Sequence, residues 1–63
     1  MKVGDLLKVN CEVNIFKKDE IIQLLRVTDS NNYFCKIIKS PRKSRIGTTR
    51  YFDEHWNEYC EVL

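Results

Sequence analysis

The residues of this 63-residue chain with the widest chemical range are three cysteines and one histidine: Cys11, Cys35, Cys60 and His55. Together they carry the donor types of a Cys₃His zinc site. Structural zinc sites present their ligands in close pairs, and no CxxC occurs here, so the spacing favours reduced thiols that pack as small hydrophobes. Cys35 and His55 are also the raw materials of a nucleophile and its base. Nothing beside them in sequence supplies an orienting group or an oxyanion loop, and a chain this short leaves little room for a substrate cleft of a few hundred Å³. Asp53 and Glu54 are adjacent, so on a strand or turn they point apart and make a poor acid–base pair. No phosphate-binding loop, dinucleotide fingerprint or nucleophile elbow is present. The expectation is a protein without catalysis, metal or cofactor.

The second chemistry-bearing group is the basic run "SPRKSRIG" at 40–47. Arg42, Lys43 and Arg45, with Arg50 just beyond, place four cations within nine residues. Arginine forks match carboxylate and phosphate alike. Tyr51 and Trp56 follow closely enough to offer stacking faces of the kind single-strand binders use, and Trp56 equally suits a lid packed under a helical turn. Lys and Arg are also the ordinary residues of a solvated loop. Net charge is +2, and the acids Asp53, Glu54, Glu58 and Glu61 fall in a separate block with no Lys or Arg among them. The two blocks can neutralise each other in the fold, and a polyanion binder of this size is usually more basic. The reading is therefore a module that docks on an acidic protein surface through Arg42, Lys43, Arg45, Arg50 and Trp56. RNA or DNA binding through the same patch is the alternative.

These residues must be positioned by strands. The chain is 43% hydrophobic and contains no Ala; its apolar residues are Ile, Val, Leu and aromatics, a strand-forming set. Leu7, Val9, Cys11, Val13 and Ile15 alternate with polar residues, which predicts one strand with a dry face that includes Cys11. Gly4-Asp5 reads as the turn before it, and Lys17 to Glu20 as a hairpin loop. The run from Ile21 to Val27 reads as a second strand, with a helix over 19–26 capped by Asp19 as the other reading. Asp29 to Asn32 is a polar turn that returns the chain as a third strand from Tyr33 to Ile38. Pro41 ends that strand, Gly47 closes the basic loop, and Thr48 to Phe52 forms a fourth strand. One helical turn is expected near 53–57, then a last strand over 58–63.

No apolar run approaches the roughly 18–20 residues that cross a bilayer, and the N-terminal segment reaches charge and Asn too soon for a signal peptide. The odd cysteine count suits a reducing compartment, so a cytoplasmic location is expected, the host cytoplasm if the protein is viral. The chain reads as a single domain over 1–63 of open oligomeric state.

The segments "KVGDLLKV" at 2–9, "LLRVTDSNNYFCKII" at 24–38 and "TRYFDEHWNEYCEVL" at 49–63 together resemble the SH3-like small barrels. The resemblance implies an all-β, partly open five-stranded barrel with a short helical turn before its last strand. From "YFCKIIKSPRKSRIG" onward the chain is also similar to short proteins of tailed bacteriophages. That likeness implies a small accessory protein that binds a host or viral protein and modulates it. The KOW subgroup has a glycine in its central turn where this chain has Asn31-Asn32.

Overall fold

The computed structural model of the chain describes residues 2–12, 15–28, 32–53 and 58–63. The described residues form one antiparallel sheet of five strands: β1 (Leu6–Val9), β2 (Ile21–Val27), β3 (Asn32–Lys39), β4 (Thr49–Asp53) and β5 (Cys60–Val62). The order across the sheet is β4-β3-β2-β1-β5. The first four strands are a meander, and β5 returns to the open side of β1. β4 and β5 form the two edges, so the sheet curls without closing, and the architecture is all-β and partly open as expected.

The pleat explains the core. Leu7 and Val9 on β1, Ile22 and Leu24 on β2, Cys35 and Ile37 on β3, and Phe52 on β4 alternate with wetter neighbours, and all are buried. Register aligns them: Leu7 opposes Ile22, Ile22 opposes Ile37, Leu24 opposes Cys35 and Tyr33 opposes Phe52. Two irregularities bend the β2–β3 ladder, one between Ile21 and Ile22 and one between Leu24 and Arg26. Bulges of this kind add twist and help a sheet wrap its own core. The 21–27 segment is a strand, and its pairing with the third strand disposes of the helical reading.

One expectation needs correction. The nine-residue alternation that starts at Leu7 breaks after three residues, because β1 ends at Val9. Cys11 is only half-buried, and residues 13 and 14 lie outside the described residues. The Val9 N–H donates to the Glu20 carbonyl and the Asp19 N–H to the Val9 carbonyl (both 2.9 Å), so the ladder resumes at the far end of an excursion. That excursion delivers Phe16, 1% exposed, into the core, where it meets Phe52 edge-on with ring centroids 5.7 Å apart. The helical turn expected near 53–57 falls largely outside the described residues: Asp53 ends β4 and residues 54–57 are not described, while Glu58 and Tyr59, directly before β5, are 3₁₀. An unexpected 3₁₀ turn spans Lys43–Arg45, within the basic loop.

Candidate functional site

The basic loop joins β3 to β4. The strand pair splays open after Ile37, whose N–H donates to the Thr48 carbonyl while its own carbonyl accepts the Gly47 N–H. Gly47 makes that return at φ 88°, a left-handed conformation that side-chain-bearing residues adopt at a cost. Between these points the chain folds on itself. The Arg42 N–H donates to Ser40 Oγ (3.1 Å), and the Arg45 and Ile46 amides donate to the carbonyls of Arg42 and Lys43.

What anchors the loop is the one buried charged side chain among the described residues, Glu20, 0% exposed. Its carboxylate receives Arg45 Nε at 2.6 Å on Oε2 and Arg45 Nη2 at 3.2 Å on Oε1. The Ser40 hydroxyl donates to Oε2 at 2.6 Å and the Lys17 amide to Oε1 at 2.7 Å. Arg45 Nη2 also donates to the Ile15 carbonyl at 2.7 Å. Burial alone would push the Glu20 carboxyl up, but the hydrogen bonds from Arg45, Lys17 and Ser40 outweigh it and hold the group below its ordinary range. Arg45 is held more firmly protonated by the same contact.

The four cations of the run therefore divide. Arg45 turns inward, and its carboxylate partner is Glu20, not the acidic block that follows the loop. Arg42 and Lys43 are exposed. Arg50 is half-buried on β4 and folds its Nη1 back onto the Thr49 carbonyl at 2.7 Å. Trp56 lies outside the described residues. Beside the loop, Lys8, Asp19, Ile21, Lys39, Ser40 and Pro41 line an open groove of about 430 Å³. Lys8, Ile21 and Lys39 stand in register on three adjacent strands, so the two lysines flank this groove.

The three cysteines are free thiols, and Cys60 lies near enough to Cys11 and Cys35 for the thiols to affect one another electrostatically. Cys35 is buried, with its thiol pushed up to about 12, first by burial; Cys60 is half-buried and pushed up to about 11, also first by burial. Both are protonated near neutral pH, which makes them poor nucleophiles. Among the described residues no group of three His, Cys, Asp or Glu could hold a metal ion, and His55 lies outside them. No described helix is long and apolar enough to cross a membrane.

Sequence reasoning missed Glu20, though a signal existed. Glu20, Ile22 and Leu24 share strand parity, which puts the carboxylate on the dry face, and a dry carboxylate requires a cation. Comparison of the chain with models of protein families, with curated proteins and with solved structures finds no match.

Proposed function

We propose that this chain is a non-catalytic binding module that docks on an acidic protein surface through its basic loop. The observation that carries the reading is the Glu20–Arg45 clamp. It fixes the loop to the sheet, so Arg42 and Lys43 project from a set position rather than from a floppy segment. A pre-organised contact loses less conformational freedom on binding. Lys39, at the rim of the adjacent groove, extends the positive surface beyond the loop, whereas Lys8 across the groove is paired with Asp19 at 3.9 Å. Charge complementarity of this kind speeds encounter and fixes register more than it adds raw affinity.

The likeness to SH3-like barrels and to short proteins of tailed phages supports an accessory role: a small rigid body that occludes or tethers part of a host or viral protein in the cytoplasm. Nucleic acid at this same loop is the weaker reading, because Arg45 is withdrawn from the patch and Arg50 is turned back on its own strand. The test is capture of partners from cell extract with nuclease and heparin present, comparing the native protein with Arg42→Glu/Lys43→Glu. A defined partner retained by the native protein and lost by the variant supports the reading. Equal capture by both refutes it.

A further inference from the structure

The outer face of the sheet carries a second feature, at the end away from the basic loop. Arg26, Phe34 and Tyr51 stand in register on β2, β3 and β4. The Phe34 and Tyr51 rings lie 4.7 Å apart and are tilted by 32°. The Arg26 guanidinium sits 5.6 Å from the Phe34 ring centroid, and its Nη2 donates to the Tyr51 hydroxyl at 3.2 Å. Three planar groups are thus stacked side by side across three strands, and the outermost, Tyr51, is 56% exposed. The next cross-strand row on this face is Gln23, Lys36 and Thr49, which puts the exposed Lys36 two residues from Phe34. Among the described residues, the charged ones around the stack on this face are Arg26 and Lys36, with one acid, Asp53, at the far end of β4.

We infer that this face binds single-stranded nucleic acid, with a base stacked on the outer face of Tyr51, which Phe34 backs, and the backbone phosphate held by Lys36 and Arg26. Two properties select that ligand. Planar rings tied in place by a guanidinium make a rigid stacking surface, and base stacking tolerates any sequence because every base has a π-face. A cation one row from the rings supplies the charge that a phosphate seeks. A duplex, whose bases are already stacked, gains nothing from exposed rings. The site uses different residues from the protein-docking loop and stands or falls separately from it.

The test is fluorescence anisotropy of labelled oligo-dT and oligo-U at low salt, with an unlabelled duplex as competitor. It is paired with amide chemical-shift mapping on the native protein, which needs no variant to fold. The expected result is binding of at least one strand, with shifts at Phe34, Lys36 and Tyr51. Affinity should fall by at least about fivefold in Tyr51→Ala and again in Lys36→Glu, while Arg42→Glu/Lys43→Glu retains most of the binding. The two oligonucleotides distinguish DNA from RNA as the source of the strand. No binding of either strand overturns the inference, as do shifts confined to residues 42–45, unchanged affinity in Tyr51→Ala, or displacement by duplex as readily as by single strand. If the partner captured by the loop shifts these same amides and neither oligonucleotide does, the face belongs to protein instead.

Discussion

Arg45 and Glu20, 25 residues apart in sequence, meet through two hydrogen bonds of 2.6 and 3.2 Å, and the carboxylate they share has no exposure to water. A buried carboxylate is costly unless paired and fully hydrogen-bonded. Here Arg45, Ser40 and the Lys17 amide meet that need together. The Ile15 carbonyl takes the remaining reach of the guanidinium. One buried group thereby fastens the β1–β2 excursion, the start of β2 and the β3–β4 loop to each other. A loop that composition alone marks as solvated is bolted to the core.

Stability should fall in acid because of this pair. The folded-state carboxyl of Glu20 is held below its ordinary value, so its contribution is complete above the unfolded-chain value of about 4.3 and is lost as pH drops through the lower folded value. Urea midpoints are expected to be nearly flat from about pH 7 to about pH 5 and to decline below about pH 4.3. Glu20→Gln should start lower at neutral pH and decline less steeply in acid. Parallel declines in the two proteins would assign the acid sensitivity to other groups.

Phe16 should be among the most costly residues to truncate although it belongs to no strand. It is 1% exposed and fills the core against Phe52. Phe16→Ala is expected to lose about 3–5 kcal/mol by urea unfolding, a large share of what so small a domain holds. A loss under about 1 kcal/mol would mean that the excursion does not plug the sheet.

Cys35 should resist alkylation until the protein unfolds. Its thiol is buried and protonated, with Sγ directed at the Arg50 carbonyl at 3.5 Å. Iodoacetamide at mildly alkaline pH, read by mass spectrometry after digestion, should label Cys35 only once urea passes the unfolding transition. Rapid labelling of Cys35 in the native protein would contradict its placement in the core.

Much of the fold was legible because a pleated strand writes its two faces into the sequence. Ile22 and Leu24, and Cys35 and Ile37, could be placed by alternation. The β1–β2 excursion could not. Cys11 and Ile15 continue the alternation of Leu7 and Val9, yet the chain leaves the ladder at Asn10, and the choice of Phe16 as the plug depends on a cavity that only the curled sheet creates. The contact of Arg45 with Glu20 was not legible for a related reason. Local composition gives each cation of the loop the same character, whereas its role depends on a carboxylate from another strand. The row of Arg26, Phe34 and Tyr51 needed register, and the bulge at Leu25 shifts Arg26 by one residue to stand beside Phe34.

The central claim is that the loop's cations divide by role, with Arg45 holding the fold and Arg42 and Lys43 serving only outward. Thermal unfolding of Arg45→Met beside Arg42→Glu/Lys43→Glu tests it most directly. Removing one partner of a buried pair costs about 3–5 kcal/mol, which for a domain of this size lowers Tm by at least about 10 °C. The exposed double variant should stay within about 4 °C of the native protein. Equal, small shifts in both would contradict the account, as would a larger loss in Arg42→Glu/Lys43→Glu than in Arg45→Met.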